Sequence, residues 1–174
     1  ETIPYSGQNY SVTRIGGFAN RTYNSISIPS SLTLVTNSTF NGTTIGTFVV
    51  GNCSPTIGTY GFYIVNITNL DTNSNLLINP NNQAAGVTST LKSVIIRNSV
   101  TSISNGAYNG STMLTSITIG PNVTSIGTIA FQNCSSLTDV TIPNGVTSIG
   151  SSAFYNCSKL TSVSLGASLL SISD

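Results

Sequence analysis

The chain has 174 residues, of which only 5% are charged, and a formal net charge of +1. A soluble domain carries roughly 25% charged residues, so this surface must be built from neutral groups, chiefly 53 Ser and Thr, 20 Asn and 16 Gly. The five cations (Arg14, Arg21, Lys92, Arg97 and Lys159) are scattered without interleaved aromatics, giving no footprint for nucleic acid or anionic lipid. No stretch approaches the ~18–20 apolar residues of a membrane span, so no membrane insertion is expected in this segment. The absence of His and of any CxxC leaves no Cys/His metal site.

In chain order, "TIP" at 2–4 reads as the close of a unit whose beginning is missing. "VTRIGGF" (12–18) followed by "ISIP" (26–29) forms a shortened unit. Phe40, Ile45, Phe48 and Val50 then carry a Phe, Leu, Ile, Ile spacing with one residue deleted. "IGTYGFY" (57–63) echoes a later "IGSSAFY" (149–155), with Gly61 and Phe62 in place of Ala153 and Phe154. Segment 64–90, rich in Asn and containing Pro80, carries an insertion, and Leu91, Val94 and Ile96 close a degenerate unit.

From residue 98 the pattern is regular. "NSVTSISNGAYNGSTMLTSITIG" (98–120), "PNVTSIGTIAFQNCSSLTDVTIP" (121–143) and "NGVTSIGSSAFYNCSKLTSVSLG" (144–166) align at a period of 23. Val100, Val123 and Val146 share a column, as do Ile103, Ile126 and Ile149, and Leu114, Leu137 and Leu160. A fixed period of 20–29 residues with a Leu-x-x-Ile-x-Ile core signals a leucine-rich-repeat solenoid. "TSITI", "TDVTI" and "TSVSL" alternate with period two and are β-branched, so each predicts a short strand. "VTSI" predicts a second short extended segment. "GTIAF" and "GSSAF" are too short for a stable helix and suit a single helical or 3-10 turn. Stacked units place like strands about 4.8 Å apart in parallel sheets, and each buries a face its neighbour cannot bury alone. The expectation is one β-rich solenoid over 1–174 with roughly seven turns, degenerate over 1–97 and regular over 98–174.

The pattern "IPxxVTSIGxxAFxxCxxLTxVxI" in residues 119–165 resembles the BspA-like leucine-rich repeat, a family named for a bacterial surface antigen. The resemblance implies a curved solenoid that is secreted or displayed on a cell or virion surface and binds host or other extracellular proteins. It implies no cofactor and no shared catalytic residues. The near absence of Lys and Glu departs from the family's usual pattern.

Catalysis finds little support in the residues themselves. The acids are Glu1, Asp71, Asp139 and Asp174, and the two internal ones lie about three repeats, or roughly 15 Å, apart. Cys134 and Cys157 occupy one column in adjacent units, with Ser111 in the unit before; this arrangement reads either as a redox pair or disulfide, or as small core residues under the Phe column. Cys53 stands outside that column. Asn-x-Ser/Thr sequons at Asn20, Asn37, Asn41, Asn52, Asn66, Asn109, Asn122, Asn133 and Asn156 offer glycosylation sites or simply reflect composition. Asn133 and Asn156 repeat in register, as in a side-chain ladder or shared turn contacts.

The sheet face is the leading binding candidate. Ser116, Asp139 and Ser162 form one outward column beside Thr118, Thr141 and Ser164, able to meet a protein, a glycan or even ice. The alternative is that Thr simply suits an exposed strand. The chain begins and stops within a unit, so it reads as part of a longer protein, or as a subunit stacking end to end with its own copies into an extracellular fibre or virion appendage.

Overall fold

The computed structural model describes residues 14–15, 17, 19–31, 34–35, 42–52, 56–57, 66–72 and 90–174. Its short strands fall into two series. One comprises β1 (Arg14–Ile15), β3 (Leu34–Val35), β5 (Thr56–Ile57), β8 (Ser102–Ile103), β10 (Ser125–Ile126), β12 (Ser148–Ile149) and β14 (Ser171–Ile172). The other comprises β2 (Thr22–Ile28), β4 (Thr44–Val50), β6 (Asn66–Thr72), β7 (Ser93–Ile96), β9 (Ser116–Thr118), β11 (Asp139–Thr141) and β13 (Ser162–Ser164). The ladders run β1-β3-β5, β8-β10-β12-β14, β2-β4-β6-β7-β9 and β11-β13, and every pairing is parallel. β11 packs beside β9 without joining its ladder. The result is the parallel β-solenoid that the repeat predicts.

Register follows the sequence period. Ile26 pairs with Phe48 and Phe48 with Leu70, steps of 22; Val94 pairs with Ile117 and Val140 with Val163, steps of 23. Leu70 pairs with Val94, a step of 24. The step from Leu70 to Val94 therefore exceeds the regular 23-residue repeat by one residue.

The core is the stack of inward columns. Leu91, Leu114 and Leu137 lie over one another with Ile96, Ile119 and Ile142 beside them, and all are buried. From the opposite strand series Val100, Val123 and Val146, with Ile103, Ile126 and Ile149, close the same core. Tyr108, Phe131 and Phe154 stack at ring centroid separations of 5.3 and 5.2 Å, with ring planes 11° apart.

The segment carrying those rings corrects one expectation. No helix or 3-10 turn forms among the described residues; residues 105–110 and their equivalents are a run of hydrogen-bonded turns instead. The reason lies in where the amides point. Ala130, Gln132 and Cys134 donate to the carbonyls three residues back, whereas the intervening Ile129, Phe131 and Asn133 donate forward to Ser151, Ala153 and Tyr155 of the next rung, at 2.8–2.9 Å. Half the amides thus extend the inter-rung ladder, which a continuous helical turn would forbid. The alternation requires left-handed backbone at two columns: Gly106, Ile129 and Ser152 (φ 66, 51 and 54°), and Gly110, Asn133 and Asn156 (φ 78, 62 and 59°).

Two stability measurements follow. Phe131→Ala removes a fully buried ring held between two others and should lower the unfolding free energy by about 3–5 kcal/mol in urea titration. A Cβ added at Gly110 meets nothing within 4 Å, so substitution there isolates backbone strain. Gly110→Val should cost about 1–3 kcal/mol, and Gly110→Asn distinctly less, because Asn tolerates the left-handed region.

Candidate functional site

The outward face of the long strand series carries the six residues singled out by the repeat. Asp139 pairs with Ser162 and Thr141 with Ser164, while Ser116 and Thr118 occupy the equivalent positions on the adjacent β9. All six are exposed. Rungs spaced about 4.8 Å apart, and alternate residues about 6.6 Å apart along a strand, make this a two-column lattice.

Hydroxyls on this protein fall into two classes that look alike in sequence. Those of Thr115, Thr124, Thr147 and Thr161 donate to the carbonyls of Lys92, Thr101, Thr124 and Thr138, at 3.0–3.3 Å. The backbone N–H of each of these threonines donates to the same carbonyl, at 2.8–3.0 Å. One carbonyl of the preceding rung thus receives both donors, and these hydroxyls are structural. In contrast, the hydroxyls of Ser116, Thr118, Thr141, Ser162 and Ser164 have no partner among the described residues. Thr138 is the exception in its column: its hydroxyl turns to Asp139 Oδ2 at 2.8 Å, beside the interruption between β9 and β11.

Upstream the same face changes character, which the sequence did not signal. Its first column continues through Ser93, Asn69, Thr47 and Ser25, and its second through Ile95, Asp71, Val49 and Ser27. Ser93 Oγ donates to Asn69 Oδ1 at 2.7 Å, and Asn69 Nδ2 to the Gly46 carbonyl at 3.3 Å. Arg97 grips Asp71 through two hydrogen bonds of 2.6 Å each, with side chains 56% and 17% exposed, and the paired carboxylate raises the Arg97 pKa. This ion pair spans 26 residues rather than 23, so no repeat column announces it. Ile95, in the same column as Asp71, adds exposed apolar surface.

The remaining candidates are placed as follows. Cys134 and Cys157 are buried free thiols; their Sγ atoms donate to the carbonyls of Tyr108 and Phe131 at 3.3 and 3.2 Å. The adjacent Cys157 thiol and burial push Cys134 up, while the Cys134 thiol hydrogen holds Cys157 down. Cys53, Asn37 and Asn41 lie outside the described residues. Asn20 has left-handed backbone (φ 56°), Asn52 is exposed, and Asn66 opens β6. Asn156 Nδ2 donates to Asn133 Oδ1 at 2.9 Å and Asn133 Nδ2 to Asn109 Oδ1 at 3.4 Å, so the in-register asparagines do form a ladder. Asn122 Nδ2 donates to the Asn98 carbonyl at 2.9 Å. Glycan attachment at Asn122, Asn133 or Asn156 would replace one of the two Nδ2 hydrogens of an amide engaged in these contacts. Among the described residues no three His, Cys, Asp or Glu converge as a metal site, and no helix is long and apolar enough to cross a membrane.

Comparison with known proteins agrees with the architecture. The model of the BspA type leucine rich repeat region matches in six copies, over residues 11–137 and 83–174, and the chain belongs to that family. It matches no curated protein. Among solved structures it is similar to a leucine-rich repeat protein from Bacteroides ovatus, with 26% identity and a TM-score of 0.54 over 85% of this chain and 32% of that one. A leucine rich cell surface protein from Faecalibacterium prausnitzii shares the fold at 19% identity, with a TM-score of 0.52 over 88% of this chain and 49% of that one. The chain therefore spans less than half the length of either.

The two hydroxyl classes predict opposite outcomes for one chemical change. Thr147→Val loses a ladder donor and should cost about 0.5–1.5 kcal/mol of stability. Thr141→Val, on the free lattice, should stay within about 0.5 kcal/mol of the parent in the same urea titration.

Proposed function

We propose that this BspA-type chain is a non-catalytic binding module of a cell or virion surface, with residues 1–174 forming one solenoid within a longer protein. Its sheet face over β9, β11 and β13 meets an extracellular protein or glycan. The observation that carries the reading is the row of free hydroxyls at Ser116, Thr118, Thr141, Ser162 and Ser164, on a backbone held rigid by stacking. Unpaired, exposed hydroxyls act as both donors and acceptors, and their preset spacing removes much of the ordering cost of binding. The low charge suits a partner recognised by hydrogen bonds and shape rather than by electrostatic steering. The surface setting is supported by family membership and by the cell-surface description of the F. prausnitzii relative. An ice-binding role for the same lattice is a separate and weaker reading, excluded if the protein leaves ice-crystal shape unchanged.

A second reading is a fibre subunit joined rung to rung. It draws on the parallel, in-register pairing of one rung on the next, which a second copy would continue in the same way. Elongated assemblies in negative-stain electron microscopy would support it, and a monodisperse monomer would oppose it.

The binding reading is tested with immobilised panels of glycans and extracellular proteins. Any partner of this face should lose at least about tenfold in affinity to Thr118→Arg/Thr141→Arg, since a bulky charge blocks two adjacent rungs. The same partner should be indifferent to Thr147→Arg on the other strand series. Equal binding by all three proteins would remove the sheet face from consideration.

A further inference from the structure

Cys134 and Cys157 share one column of adjacent repeats at the end of the turn segment, buried in the core. The rings of Phe131 and Phe154 that precede them stack at 5.2 Å, and Asn133 N–H donates to Tyr155 O at 2.9 Å immediately beside them. Neighbouring rungs about 4.8 Å apart fall within the roughly 4.4–6.8 Å Cα separation of a disulfide. Each thiol also leans toward the preceding rung, so the Cys157 sulfur lies by Phe131 O, on the same rung as Cys134.

Removing the thiol hydrogens leaves nothing orphaned. Tyr108 O already accepts from Ser111 N–H at 3.1 Å, and Phe131 O from Cys134 N–H at 3.2 Å. The column also limits the pair to these two rungs, because the position before Cys134 is Ser111, whose buried hydroxyl has no hydrogen-bond partner.

We infer that Cys134 and Cys157 form a reversible disulfide staple between adjacent rungs, closed by exchange with a low-molecular-weight disulfide. In this scheme the Cys157 thiol is the one that meets the reagent first. It loses its proton, its sulfur attacks one sulfur of the reagent, and a mixed disulfide forms as the first thiolate leaves. Cys134 then loses its proton and attacks the Cys157 sulfur, forming the Cys134–Cys157 bond and expelling the second thiolate. Two protein thiols are oxidised, one reagent disulfide is reduced to two thiols, and the electrons balance. The lowered pKa of Cys157 beside the Cys134 thiol is consistent with that order. Closing the loop restricts the unfolded chain and ties one rung to the next where the ladder consists of turns rather than strands.

The test uses the whole chain carrying Cys53→Ala, so that the third cysteine cannot take part. The folded protein is equilibrated with hydroxyethyl disulfide and 2-mercaptoethanol, quenched with acid and analysed by intact-mass and peptide mass spectrometry. The expected product is lighter by two hydrogen atoms, links the peptides of Cys134 and Cys157, unfolds at higher urea and reverts on reduction. With Cys134→Ser added, the reaction should stop at a mixed disulfide on Cys157. Two thiols still alkylated by iodoacetamide after unfolding, stable mixed disulfides on both cysteines, or closure only in urea would each overturn the staple.

Discussion

Each rung of this solenoid completes the hydrogen bonding and the burial of the one before it. The carbonyl of Thr124 shows the rule on the smallest scale, accepting both the N–H and the hydroxyl of Thr147 one repeat later. Phe131 shows it for the core, buried only because Tyr108 and Phe154 lie on either side. Neither residue has a satisfied environment within its own 23 residues. Period, register and parallel pairing all follow from that dependence, and so does the repetition of the sequence.

The same constraint sorts the surface. A threonine hydroxyl just before a strand is drawn into the ladder, as at Thr115, Thr124, Thr147 and Thr161, whereas those at the ends of β9 and β13 and at the last residue of β11 are left with solvent. Neutrality and rigidity then combine into a face of hydroxyls at fixed spacing. The Asp71–Arg97 pair and Ile95 give the upstream part of this face a different chemistry from the hydroxyl lattice. The two buried thiols lie in a column outside the strand ladders, between the turn segment and β11 or β13 in the chain.

Much of the architecture was legible because a solenoid writes its core as columns. Leu114 and Leu137, or Ile126 and Ile149, could be aligned by eye, and their burial follows directly. The turn segment was misread for a physical reason: "GTIAF" has the same short-range spacing in a helical turn and in alternating turns, and only the next rung decides where Ile129 and Phe131 donate. Nor does a β-branched Ile129 announce left-handed backbone, although Gly106 in its column and Asn133 beside Gly110 were the available hints. On the candidate face the six positions were found, but the division of hydroxyls was not, since Thr141 and Thr147 differ in surroundings and not in type. Asp71 and Arg97 escaped because their spacing breaks the period.

Amide hydrogen exchange across residues 98–166 tests the dependence of rung on rung most directly. If stacking governs the whole circumference, Ile129, Phe131 and Asn133 should be protected to the same degree as Ser125 and Val140 in the strands, and Phe131→Ala should lower protection on the neighbouring rungs as well as its own. Rapid exchange at Ile129, Phe131 and Asn133 beside protected strands would contradict the account, because the turn segment would then be a loop hung on two sheets rather than a third side of the stack.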